Sequence, residues 1–130
     1  MTNLVFNHEH LYSNGRPKFL SSTFWLWYFF SFKGRATRLL FWLFLPFVIL
    51  VGLTLRFTVV PYDEMLAVYL YVGIIIWPYI SIQAKRCHDR NKSAWWVLLG
   101  YVPIIGYAWL IIELGLLSGT DGENKYGNKP

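Results

Sequence analysis

A single cysteine, Cys87, among 130 residues rules out an internal disulfide and any zinc site built on local cysteine spacing. Charge is scarce as well. Asp, Glu, Lys and Arg make up 15% of the chain against 55% hydrophobic residues, and mean hydropathy is +0.37. A water-soluble domain of this length needs more polar surface than that. Residues 1–18, MTNLVFNHEHLYSNGRPK, lack the short apolar core and small-residue cleavage site of a signal peptide, so insertion is expected to rely on the mature spans. Gly-rich phosphate loops and paired carboxylates are missing too, and no metal or cofactor is expected.

What is present comes in blocks. Residues 1–18 read as a flexible polar N-terminus; His8 and His10 flank Glu9, but a solvated terminus is the plainer reading than a metal site. Residues 19–32, FLSSTFWLWYFFSF, would cover only about 21 Å as a helix, short of the ~30 Å hydrocarbon core. Their aromatic density predicts an interfacial helix lying along the membrane. Three longer apolar runs follow, at 39–56, 65–84 and 95–117, and residues 118–130 form a Gly- and Asn-rich tail. The predicted fold is therefore an all-α integral membrane protein, with three transmembrane helices plus an N-terminal interfacial aromatic helix.

Lys and Arg set the orientation. Arg16, Lys18, Lys33, Arg35 and Arg38 precede the first span, Arg56 alone follows it, and Lys85, Arg86, Arg90 and Lys92 follow the second. This bias places the N-terminus and the 85–94 loop in the cytoplasm. Three full spans would put the tail on the opposite side. Gly100, Pro103 and Gly106 interrupt the third run, so a kinked span is expected there, with a re-entrant hairpin as the alternative. The net charge of +5 would suggest nucleic acid in a soluble protein. Here the basic residues crowd the ends of apolar blocks, which fits the lipid bilayer and anionic phospholipid, with no nucleic acid.

Three motifs stand in order. The first is Phe32-Lys33-Gly34-Arg35-Ala36-Thr37-Arg38 followed by Leu39-Leu40-Phe41-Trp42. The second is Arg86-Cys87-His88-Asp89 with Lys92-Ser93-Ala94-Trp95-Trp96. The third runs from Gly119 through Asn124, Tyr126 and Gly127 to Pro130. Over residues 28–130 this set resembles the YhaH-like family of small bacterial inner-membrane proteins, a domain of unknown function. The resemblance implies the bacterial inner (plasma) membrane and assigns no activity. Lys85 departs from the Arg usual in the family, and Asn91 from Gly; Asn tolerates a left-handed turn, so a tight turn is expected to survive.

Arg35, Arg38, Arg86, His88, Asp89, Arg90, Lys92, Trp95 and Trp96 form the candidate site for an anion, a lipid head or a partner protein. Arg forks suit phosphate, and Asp89 would orient Arg35 or Arg86. The plainer alternative makes the same charges a topology determinant, with Asp89 as counter-ion and His88 bonded to a carbonyl. An enzyme would need Ser93 or Cys87 as nucleophile; basic neighbours could lower the Cys87 pKa, but nothing completes a triad. Arg56 and Glu113 reach comparable heights in the first and third spans, and either pair or stay a snorkelling Arg and an interfacial Glu. The predicted function is a small, non-enzymatic membrane protein whose basic cytoplasmic face binds anionic lipid headgroups or a partner protein. A homo-oligomeric transporter or channel subunit is the alternative.

Overall fold

The computed structural model describes residues 12–13, 16–17 and 21–130; most of the 1–18 segment, with His8, Glu9 and His10, lies outside the described residues. Among the described residues the regular elements are helices, apart from a two-residue antiparallel ladder, Tyr12–Ser13 against Arg16–Pro17, and an isolated bridge between Asn124 and Gly127 in the tail. Helix α1 spans Ser22–Phe30, α2 Arg38–Thr58 and α3 Glu64–Asp89. Each begins on a side-chain cap that satisfies an otherwise unpaired N–H. Ser21 Oγ accepts from Phe24 N, Thr37 Oγ1 from Leu40 N and Asp63 Oδ1 from Leu66 N.

Helices α2 and α3 are long and apolar enough to cross a membrane, and both run through an internal proline, Pro46 and Pro78. Their most apolar stretches are only 11% and 28% buried, so most of their apolar surface faces outward. α1 packs across the pair: Phe24, Trp27 and Tyr28 are buried with Leu40, Phe44, Ile75 and Ile82. The Tyr28 hydroxyl donates to Leu40 O at 2.7 Å, which ties α1 to the first turn of α2.

α3 runs past the apolar stretch expected to end at residue 84. Lys85 to Asp89 are its last helical residues rather than loop. It stops in a Schellman motif: Asn91 N donates to His88 O and Lys92 N to Cys87 O, both at 2.9 Å, with Asn91 at φ +56°. The tight turn expected at Asn91 is formed.

Residues 95–117 do not form the single kinked rod expected of a third span. Ala94–Tyr101 is a 3-10 helix; after a break comes α4, Ile105–Trp109, which widens into a π-helix over Leu110–Leu116. The two limbs fold back on each other. Val97 and Leu110 share one buried cluster, Trp96 stacks with Trp109 at 6.3 Å, and a Cβ on Gly100 would meet Leu110 at 3.0 Å. Eight residues of 3-10 helix reach about 16 Å and twelve of α-like helix about 18 Å, so neither limb alone crosses ~30 Å. The reversal is a γ-turn: Ile105 N donates to Pro103 O at 2.7 Å, and Ile104 sits at φ +64°, ψ −63°, a strained conformation for a β-branched residue. This hairpin leads the chain back to the end of α3 where it began.

Candidate functional site

The cluster is assembled from three chain segments: the hinge at 31–37, the end of α3 and the tail after the hairpin. Gly34, at φ +93°, lets the hinge turn tightly against Trp27, whose Nε1 donates to Lys33 O at 2.9 Å. Ala36 N then donates to Lys85 O at 3.2 Å. Arg35 is thereby held over the last turn of α3.

Both central arginines are consumed inside the protein. Arg35 Nε donates to Asp89 Oδ1 at 3.0 Å. Its Nη1 serves Gly122 O at 2.6 Å and Gly127 O at 3.1 Å, and its Nη2 serves Thr120 O at 2.6 Å. Arg86 Nε donates to Leu114 O at 2.7 Å, and its two remaining nitrogens pair with Asp89 Oδ2 and Leu117 O. Arg35 is 3% exposed and Arg86 0%. A planar fork with five donors suits this work, because the carbonyls at the end of the hairpin and in the tail lie in several directions around it.

The tail closes over this core. Thr120 N and Oγ1 both donate to Asp89 O, at 2.8 and 2.9 Å. Asn124 Nδ2 donates to His88 O at 2.9 Å. Tyr126 stacks on the His88 ring with centroids 3.9 Å apart, while His88 Nδ1 lies 3.2 Å from Gly34 O. Tail, hinge and α3 end therefore share one face, contrary to the opposite-side tail that three full spans would give. Thr120, Asn124 and Tyr126 were not among the candidate site residues, although the third motif contains all three.

The outer cations have different roles. Arg90 and Lys92 both pair with Glu113 Oε1, at 3.1 and 2.5 Å. Arg56 does not reach Glu113. It lies at the far end of α2, about 27 Å from Arg38, beside a cleft shared with Glu64. The expected pairing assumed a straight third helix, and the hairpin returns Glu113 to the end of α3. Arg38 is exposed and gives one bond, to Leu116 O at 2.9 Å. Trp95 is 78% exposed; Trp96, 45% exposed, carries the Lys92 ammonium 5.1 Å above its ring. Lys85 turns the other way, giving its ammonium to Trp27 O and Tyr28 O at 2.6 and 2.7 Å over the Trp27 ring. It caps the C-terminal end of α1.

A cleft of about 200 Å³ opens beside the cluster, lined by Arg38, Arg86, Asp89, Thr120, Asp121 and Lys129 among others. Lys129 pairs with Asp121 at 2.6 Å and holds that carboxyl below the usual carboxylate range. Three cations thus face two carboxylates at the cleft.

The family model described as "Protein of unknown function (DUF805)" matches residues 29–128, a stretch that takes in the hinge, both long helices, the hairpin and the tail. The chain belongs to the DUF805 family. Two curated proteins of Escherichia coli strain K12, inner membrane proteins YhaH and YhaI, are each 34% identical to it. These matches cover 77% of this chain and 87% and 86% of the two relatives. A third protein of that strain, the uncharacterized YiiR, is 31% identical over 75% of this chain and 84% of its own length. No solved structure matches.

In this DUF805 chain Cys87 is fully buried against Val97, Leu110 and Leu114. The thiol packs as a small apolar group, and the access that an activated nucleophile needs is absent. A small maleimide is therefore expected to leave Cys87 unlabelled in the folded protein and to label it stoichiometrically after denaturation. Mass spectrometry of both samples checks this; rapid labelling of the folded form would refute the packing described.

Proposed function

We propose that this chain is a small, non-enzymatic protein of the bacterial inner membrane that presents a basic cytoplasmic rim to anionic phospholipid heads. α2 and α3 cross the bilayer, the hairpin re-enters it, and α1 lies at the boundary with Trp25, Leu26 and Phe30 outward. The names of YhaH and YhaI support the compartment. The Lys and Arg bias supports a cytoplasmic hinge, α3 end and tail. A non-enzymatic role is supported by the occupation of each candidate reactive group: Cys87 is packed, Ser93 caps the 3-10 helix and His88 is held between Tyr126 and Gly34.

The observation that carries the reading is the cleft at the start of α2. Its inner wall includes Arg86 and Asp89 of the buried core, and its rim carries exposed Arg38 and Lys129, the latter paired with Asp121. Basic side chains at the membrane surface attract anionic lipid. The core cations hold the protein together, so the rim does the recruiting.

Native mass spectrometry of gently extracted protein tests this with wild type beside an Arg38→Ala, Lys129→Ala double variant. The wild type is expected to keep phosphatidylglycerol in preference to phosphatidylethanolamine, and the variant to lose that preference while staying folded. Equal retention by both proteins would remove the headgroup role. A C-terminal reporter that works only outside the cell would remove the orientation.

A further inference from the structure

The two long helices are packed unevenly along their length. Among the described residues of α2 the buried ones are Leu40 and Phe44, both in its first two turns. In α3 they run from Ile75 to Asp89, and only Ala67 precedes them. α1 and the hairpin both pack on the pair at the cluster end. α1 covers Leu40, Phe44, Ile75 and Ile82, the hairpin covers Cys87, and Trp42 Nε1 donates to Gly115 O at 3.1 Å. Tyr101 and Tyr107, on either side of the reversal, are close enough to interact electrostatically with Tyr79. Tyr79 stands about 15 Å back from Asp89 along a helix about 39 Å long. The opposite end holds only α2 and α3, with Leu50, Leu53, Phe57, Met65 and Tyr69 exposed.

In a bilayer this distribution makes a wedge. A helix about 10 Å across occupies about 80 Å² of a leaflet, so the two crossing helices take about 160 Å² on the far side. The hairpin limbs and α1 are too short to reach that side, at about 16, 18 and 14 Å. The limbs alone double the area taken on the cluster side, and α1 adds more with Trp25, Leu26 and Phe30 outward. Apolar helices that enter one leaflet are sensitive to its curvature, because a convex surface spreads the lipid heads and makes room for them.

We propose that this chain is a curvature-sensing wedge, which gathers where the membrane surface on the cluster side is convex. Its partner is a lipid surface of that shape rather than a particular headgroup. With the cluster in the cytoplasm, such membrane lies where the inner membrane folds inward, as at a division furrow. The inference rests on the membrane placement proposed above and not on the headgroup reading.

The test is sorting of the full chain between a giant vesicle of phosphatidylcholine and a narrow tube pulled from it. A C-terminal tag is labelled by a membrane-impermeant dye, added outside or enclosed within, so that tail-out and tail-in molecules are seen separately. Tail-out protein is expected to be at least about twofold denser per lipid on the tube than on the vesicle, and more so as the tube narrows. Tail-in protein should be depleted there by a similar factor. The two orientations differ only in the sense of the curvature, so the comparison needs no variant to fold. Protein with Arg38→Ala and Lys129→Ala should sort like the wild type, since a neutral lipid offers the rim no anionic head. Failure of the headgroup reading would therefore leave this result standing. Equal density on tube and vesicle, enrichment of both orientations alike, or the reverse order would overturn the wedge, as would loss of sorting in the double variant.

Discussion

Replacing Asp89 by alanine is expected to destabilise the folded protein by about 3–5 kcal/mol, the cost of leaving a buried charge without its partner. Asp89 is 4% exposed and is the carboxylate shared by Arg35 and Arg86. Its two oxygens divide the work, Oδ1 toward Arg35 and Oδ2 toward Arg86. Removing it leaves two buried guanidiniums side by side, with only carbonyl dipoles to offset their repulsion. Arg35 also holds the tail through Thr120, Gly122 and Gly127, and Arg86 holds the hairpin through Leu114 and Leu117. Loosening both arginines therefore frees two segments at once. Thermal unfolding in detergent, read by tryptophan fluorescence, should show a large drop in midpoint, and limited proteolysis should cut first between residues 117 and 130. Arg35→Ala in the Asp89→Ala background should cost less than the two single losses added together, because the variants share one interaction. A midpoint within a degree of wild type for Asp89→Ala would show that the cluster is not what closes the cytoplasmic face.

This core was legible in the sequence as charges and illegible as bonds. Arg35, Arg86 and Asp89 stood out because charge is rare in this chain, and their types alone suggested pairing. Most of their partners are backbone carbonyls, and a carbonyl is the same at every residue. Nothing in the letters at 114, 117, 122 or 127 says that an arginine will reach them. The same blindness made the cluster look like an open anion site, since six cations beside one Asp suggest unspent charge. Glu113 shows a related limit. Its height was reckoned along a straight third helix, and that arithmetic fails once the helix reverses.

Hydropathy found the two long helices because each carries an apolar run long enough for the signal to be unambiguous. It lost the end of α3, where Lys85 to Asp89 are helical but polar. In those residues a buried polar helix end and a solvated loop have the same composition. Only the turn chemistry at Asn91 marked the true stop, and it was read as a turn within a loop. Pro103 and Gly106 marked the break in the third run. A breaker says where a helix ends and is silent on where the next limb goes.

Gly106 supplies the direction, and Gly106→Ala is expected to open the hairpin. A Cβ there would lie 2.7 Å from Gly100 O and 2.8 Å from Gly100 C, and would also strike Leu99 O. All three are backbone atoms at the end of the 3-10 limb, so no rotamer change relieves the overlap. The limbs would have to separate by roughly half an ångström or more at their closest point, given ordinary van der Waals contact. The turn beside it has no slack, with Ile104 already strained and Gly106 N bonded to Val102 O at 2.7 Å. Separation would thin the packing of Val97 on Leu110 and admit solvent or lipid to Cys87. A loss of about 2–4 kcal/mol follows for forcing a methyl group into close-packed backbone and exposing that cluster. The site-specific readout is Cys87, buried and expected to stay unlabelled in the wild type, and expected to react with maleimide in folded Gly106→Ala. Gly73→Ala serves as the control, since a Cβ at Gly73 meets nothing within 4 Å. If Gly106→Ala left both stability and Cys87 reactivity unchanged, the limbs would not be packed against each other, and a single kinked helix would again describe residues 95–117.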